Sequence, residues 1–389
     1  MSRHREEDFF RFEKLILKYT GIWKTNDDRI PFKIYASVVI AMFTCAYYIT
    51  LLFDVLTQNF YDIIDSWVVL IGFSSATFVN LSWKFNANNY GKLLQKMGKK
   101  NFVRKFNRND SFEHSAISKW YRYKNIYSAT LLTTVVILIV LQFIYTLTLR
   151  YTITDPNVWK LGYGSISFVN VKYSPVFEIF CVYQSLAIFY VAVTIVMIMT
   201  IIVATLNFIA TQLIILQNDI KTVALNDDTD SVDEEKLINF VNNHISLLKL
   251  TDEVSATYSK TILVTFFGVM SLSCLDVYMM SGLPIKDFNS VTVFLEGLSA
   301  LFAIFLMCAA SDNVDNENIR LAKAVYEVNF VGASLSFQKS LIIILRQAQK
   351  PIEIKSAGIM SVSFITFTAI LRTIYSAYTM LKTMQSNNL

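Results

Sequence analysis

Among the charged side chains inside long apolar runs, Asp276, Glu296 and Arg372 are the informative ones. A charge in such a setting is costly and is seldom idle. They are expected at similar depth, so Arg372 could neutralise one of the acids. An ion pair between helices and a ligand or ion path both stay open. Around them are polar-tipped aromatics and amides among aliphatic residues: Phe73, Gln142, Tyr145, Tyr183, Gln184, Tyr278 and Phe294, with Trp67 beside them. An apolar, aromatic lining with a few orienting hydroxyls and amides would suit a small volatile apolar ligand. The competing use of the same residues is helix packing and an interfacial aromatic belt.

No pattern of catalytic residues is present. There is no Gly-rich phosphate loop, no His-Glu-x-x-His and no nucleophile elbow. His4, His114 and His244 are far apart and outside the apolar runs. Cys45, Cys181, Cys274 and Cys308 each fall within an apolar run and read as buried free thiols. No cofactor, metal or nucleic acid is expected.

These residues must be positioned by membrane-spanning elements. Of 389 residues, 54% are hydrophobic and only 17% charged, and mean hydropathy is +0.43. Soluble domains carry about 25% charged residues. The first 28 residues mix charges and lack the apolar core of a signal peptide. No internal repeat is visible.

A bilayer-crossing helix needs about 20 mainly apolar residues. Such runs cover 31–56, 63–83, 126–149, 179–218, 261–283, 291–310 and 357–381. The fourth run is 40 residues without charge, Gly or Pro. It predicts one helix about 60 Å long, twice the hydrocarbon thickness. The chain is thus expected to be an all-α membrane protein with seven transmembrane helices.

Basic residues alternate across these spans. Lys and Arg number 8 in residues 1–33, 11 in 84–124, 4 in 219–260 and 6 in 311–356. The intervening segments hold five. The bias puts the N-terminus in the cytoplasm and the C-terminus outside. The sequon at Asn109 then lies in a cytoplasmic loop. Two amphipathic helices are expected on that side. One covers 233–250, with Leu237, Val241, Ile245 and Leu248 on its apolar face. The other lies within 316–349. With the inner end of helix four they would form a cytoplasmic helical anchor. The expected organisation is a cytoplasmic segment over 1–30 and helices one to four over 31–218. An acidic linker and helix then cover 219–260, helices five and six 261–310, the anchor helix 311–356, and the last helix with the C-terminus 357–389.

The stretch Arg346-Gln-Ala-Gln-Lys-Pro-Ile-Glu-Ile-Lys-Ser-Ala-Gly-Ile leads toward Thr366-Phe-Thr-Ala-Ile-Leu-Arg-Thr-Ile-Tyr-Ser-Ala-Tyr-Thr-Met-Leu. Together they resemble the last helix of insect odorant receptors. The inverted seven-span order, His244-x-x-Leu247 before the fifth span and the short loop after it agree. The Thr-Tyr…Gln-Phe ending usual in the related gustatory receptors is absent. The 219–260 segment is shorter than in the family's co-receptor, so the chain resembles a ligand-tuning subunit.

The resemblance implies a tetrameric, odorant-gated, non-selective cation channel in a sensory neuron's plasma membrane, assembled with odorant co-receptor subunits. Each subunit would give its last helix to a central pore. The ligand would sit in the outer half, between helices two to six. On this sequence the pore helix would be 357–385, with its narrow outer end near Tyr378, Leu381 and Gln385. Lys382 and Gln385 stand where the co-receptor has aliphatics. A ring of four Lys would repel the permeant cations. A gustatory-type channel and a metabotropic seven-helix receptor are the alternatives.

Overall fold

In the computed structural model the chain is described over residues 9–23, 29–57, 64–98, 111–156, 159–166, 169–223, 234–282, 288–331 and 333–387. Nine helices appear there: α1 (Arg11–Tyr19), α2 (Ile30–Thr57), α3 (Ile64–Met97), α4 (Ser111–Thr152), α5 (Val176–Val223), α6 (Glu234–Gly282), α7 (Phe288–Tyr326), α8 (Leu335–Ala348) and α9 (Phe364–Asn387). Between α8 and α9, the two-residue strands β1 (Lys355–Ser356) and β2 (Met360–Ser361) pair antiparallel. Helix α2 contains a π-helical turn at Ala41–Cys45.

Six helices, α2 to α7, are long and apolar enough to cross a membrane. Helix α9 is not among them. Its 24 residues span about 36 Å at 1.5 Å each, enough for a hydrocarbon core of about 30 Å. Its composition is more polar, with Arg372, Lys382 and a series of Thr, Ser and Tyr.

Helix α5 is the axis of the bundle. Its most apolar stretch is 72% buried, against 22–28% for the other five. That explains its uninterrupted hydrophobicity: a helix surrounded by others has no polar face to show. The expected single long helix is therefore present, as 48 residues.

Several boundaries differ from the sequence expectation. The amphipathic segment before the fifth span is not separate, because α6 runs unbroken from Glu234 to Gly282. No Gly or Pro lies between 234 and 260 to end it. Its buried face is Leu237, Phe240, His244, Leu247 and Leu250, whereas Ile245 is exposed. Both stripes have helical spacing, and the one carrying the larger Phe240 packs inward. The segment 316–349 is two helices, since α7 ends at Tyr326 and Ser334 begins α8, accepting a bond from the Phe337 amide at 3.3 Å.

The last helix begins at Phe364, not at Ala357. Ala357 and Gly358 both take positive φ, 50° and 70°, and form the turn of the β1–β2 hairpin. The α9 start is capped twice. Ser363 Oγ accepts from the Thr366 amide at 3.3 Å, and Asp312 of α7 accepts from the Phe364 amide at 2.7 Å. Helix α1, within the segment 1–30, is fixed by a buried ion pair. Lys124 Nζ of α4 lies 2.8 Å from Glu13 Oε1 and donates to the Phe9 carbonyl at 2.8 Å. Of the expected buried thiols, Cys181 and Cys308 are buried, Cys274 is half-buried and Cys45 is exposed on α2. The sequon at Asn109, the acidic stretch 226–233 and His4 lie outside the described residues.

Candidate functional site

A cavity of about 330 Å³ lies among α3, α4, α5, α6 and α7. It occupies the half of the bundle away from the basic-rich ends. Its volume is within the range of small-molecule sites. Phe73, Leu138, Ile139, Val191, Met199 and Leu272 make most of its wall. Its hydroxyls on helices are already used within their own helices. Ser75 donates to the Gly72 carbonyl, Thr134 to Thr130, Thr265 to Thr261 and Ser299 to Glu296, each at 2.8–2.9 Å.

The remaining polar groups gather at one end: Asp276 of α6, Glu296 of α7 and Tyr163. Asp276 is 5% exposed, and its Oδ2 is buried without a hydrogen-bond partner. A Cβ on the next residue after Glu296, Gly297, would sit 3.1 Å from that oxygen. The Tyr163 hydroxyl is likewise buried and unpartnered. Burial first, then the nearby Glu296 carboxyl, holds that hydroxyl well above its usual pKa.

Tyr163 belongs to no helix. It lies on the connection between α4 and α5, whose residues 162–165 are held against the bundle by side chains. Gln142 Nε2 donates to the Gly162 carbonyl at 3.4 Å, and the Tyr47 hydroxyl to the Tyr163 carbonyl at 2.6 Å. Gln184 Nε2 donates to the Gly164 carbonyl at 3.1 Å. The Ser165 amide donates to Ser66 Oγ at 3.2 Å, and the hydroxyls of Ser66 and Ser165 both donate to buried Asp54. Loop backbone inside a bundle is tolerated only when its polar groups are satisfied in this way. Two glycines permit the fit. Gly164 has φ +81°, and a Cβ on Gly162 would come 2.8 Å from Thr146 Oγ1.

The sequence-derived lining is only partly assembled here. Phe73 lines the cavity. Gln142 and Gln184 face the loop plug instead, because its carbonyls need donors. The Tyr183 hydroxyl donates to the Met42 carbonyl, in the π turn of α2, at 2.8 Å. Tyr145 stacks on Phe288 at 4.3 Å, tying α4 to the start of α7. Tyr278 is half-buried and does not line the cavity. Phe294 is 51% exposed on the outside of α7. Trp67 packs against the cluster of α2, α3 and α5 around Tyr47.

Of Asp276, Glu296 and Arg372, only the two acids line the cavity. Arg372 is exposed on α9 and neutralises neither. On α9, Tyr378 and Leu381 are half-buried and Lys382 is exposed, its Nζ 3.3 Å from the Tyr378 hydroxyl. The side chain of Gln385 lies outside the described ones. Sequence reading missed Tyr163, which has no periodicity to mark it. A larger groove of about 840 Å³ runs along α4, α5 and α7. It is edged by exposed Tyr123 and Ile126.

The arrangement is an apolar cavity among spanning helices with a polar end. Over residues 92–375, more than half of its length, the chain matches the family model "7tm Odorant receptor". The chain belongs to the odorant receptor family. Odorant receptor 67a of Drosophila melanogaster is 29% identical over 39% of this chain and 37% of its own length. Odorant receptor 85f of the same fly is 25% identical over 40% of this chain and 39% of its own length. The chain thus aligns with less than half the length of these relatives. The fold extends further. The olfactory receptor OR5 of Machilis hrabei, solved with eugenol, superposes with a TM-score of 0.83 at 17% identity, covering 97% of this chain and all of that one. Solved without it, OR5 gives a TM-score of 0.75 over 96% of this chain. This odorant receptor is an all-α, multi-pass membrane protein of a receptor family, not an enzyme family.

Proposed function

We propose that this odorant receptor is the ligand-tuning subunit of an odorant-gated, non-selective cation channel, assembled as a heterotetramer with the family's co-receptor. The observation that carries this reading is the 330 Å³ apolar cavity among α3 to α7, roofed by a loop whose backbone is satisfied by side chains of α2, α3, α4 and α5. A volatile molecule entering there would touch all of α3 to α7. It would shift the gating equilibrium to the extent that it binds the open state better. Phe73, Tyr163, Asp276 and Glu296 would contact it.

Helix α9 would line the pore. Its polar composition supports this, since a helix facing water in a membrane can keep Thr, Ser and Lys that lipid would exclude. With the basic-rich ends of the helices in the cytoplasm, Tyr378, Leu381, Lys382 and Gln385 would stand at the outer mouth, in a neuronal dendrite's plasma membrane. Expression with and without a co-receptor, against a panel of volatiles, tests the reading. Odour-evoked cation currents only in the mixed assembly are expected. G-protein-dependent signals without a chain-dependent current would overturn it.

A further inference from the structure

The cavity's polarity is lopsided. Its four helix-borne hydroxyls are spent on their own backbones. Among the described residues, its other polar side chains are Asp276, Glu296 and Tyr163. Two of these are at least nine-tenths buried and hold an atom without a partner: Asp276 at 5% exposure and Tyr163 at 7%. Among the described residues, no Lys, Arg or His lines the cavity. Among the described residues, the basic side chains at that end lie elsewhere, and Lys160 and Lys172 are exposed. Arg150 lies 3.4 Å from Glu178 and 3.6 Å above the Trp159 ring, and Arg372 is exposed.

Helix packing does not explain this arrangement. An acid placed to join helices is satisfied by a donor on the neighbour, as Asp54 is by Ser66 and Ser165. Asp276 instead faces the turn of α7 that follows Glu296, where a Cβ on Gly297 would sit 3.1 Å from its Oδ2, and Glu296 lines the same cavity. A buried carboxyl oxygen without a donor, with a second carboxyl lining the same apolar cavity, costs free energy until something supplies N–H groups and opposite charge. An alcohol or a hydrocarbon of the same skeleton offers less: one donor, or none. A site built this way discriminates strongly against ligands that leave its polar groups unpaired.

We propose that the polar end of this cavity recognises a basic nitrogen, so that the ligand class of the chain is small apolar amines. The ammonium would sit between Asp276 and Glu296, with the Tyr163 hydroxyl oxygen accepting one of its N–H groups. The hydrocarbon part would lie toward Phe73, Leu138 and Met199. This rests on the odorant-cavity reading above and narrows it.

The test compares one skeleton with three heads: phenethylamine, 2-phenylethanol and ethylbenzene. Currents are recorded from cells expressing the full chain with the co-receptor, and surface level is followed by an extracellular tag. Phenethylamine is expected to be at least tenfold more potent than either neutral compound. In Asp276→Asn the ratio of amine to ethylbenzene potency should fall at least tenfold, and in Glu296→Gln similarly, so one variant suffices should the other fail to reach the surface. Equal potency of the three compounds, or variants that move all three alike, would overturn the amine proposal and leave the odorant reading standing. Silence to every volatile sinks the odorant reading instead. Thermal shift of the purified chain then decides the amine site alone: stabilisation by phenethylamine and not by ethylbenzene, lost in Asp276→Asn, upholds it, and no amine-selective shift overturns it.

Discussion

The hydroxyl of Tyr47, fully buried on α2, donates a 2.6 Å hydrogen bond to the backbone carbonyl of Tyr163, 116 positions away. One end of this contact belongs to a spanning helix and the other to the loop that roofs the cavity. The roof is thereby coupled to the packing of α2 against α3 and α5.

Tyr47→Phe keeps the ring and removes the donor. The Tyr163 carbonyl would then be buried without a partner, at about 1–3 kcal/mol. Lower thermal stability of the purified receptor is expected, together with faster ligand release for every agonist alike. A variant with unchanged melting and unchanged washout would show that the loop is held by its other contacts.

Gly164→Ala is expected to disturb the same roof from the opposite side. Its φ of +81° disfavours a Cβ, and the added methyl would meet Leu51 Cδ2 at 3.1 Å. The strain is of order 1–3 kcal/mol. Reduced surface expression or a right-shifted dose–response should follow, and parallel wild-type behaviour in both would contradict the loop geometry.

Phe73 and Phe294 give a contrast within one residue type. Phe73 is buried in the cavity wall, whereas Phe294 is 51% exposed. Phe73→Ala should shift agonist potency fivefold or more, in line with a loss of over about 1 kcal/mol for an aromatic anchor. Phe294→Ala should leave potency within twofold. The reverse order would move the ligand site to the outer surface of α7.

The Glu13–Lys124 pair has both side chains at most 1% exposed. Glu13→Gln leaves a buried ammonium without its counter-charge and should destabilise by about 3–5 kcal/mol. The double change Glu13→Gln with Lys124→Met should recover much of that loss. Melting temperatures of Glu13→Gln, Lys124→Met and the double variant decide it: additive losses would mean that the pair carries no coupling.

At the proposed outer mouth, Lys382 is exposed and lies 5.8 Å over the Tyr378 ring. Four such charges around a cation path would repel the ion, and one among neutral partners is tolerable, since poorly screened charges interact by about a few kcal/mol. Little or no current from this chain alone is expected, with robust current alongside the co-receptor. Lys382→Glu should alter divalent block in the mixed channel, and Leu381→Ala should change gating or selectivity. Large single-subunit currents indifferent to both substitutions would remove α9 from the pore.

Much of the architecture follows from local pattern. Apolar runs about 20 residues long must satisfy their backbone internally, so they become helices wherever the chain places them. The 40 uncharged residues from Ile179 to Asn218 announce a helix buried on all sides, and α5 is that helix. Asp276 and Glu296 stood out as costly charges and do end in the cavity with Phe73. Periodicity does not say where each apolar face turns: Ile245 shares the expected stripe but is exposed, while Phe240 and His244 are buried. Nor could it start α9 at Phe364, since the hairpin and the Asp312 cap that set this boundary come from pairings between distant segments. The same limit decided the site. Gln142 and Gln184 have the chemistry of ligand contacts. Tertiary structure brings each to a loop carbonyl 20 positions away, and a buried carbonyl takes the donor first.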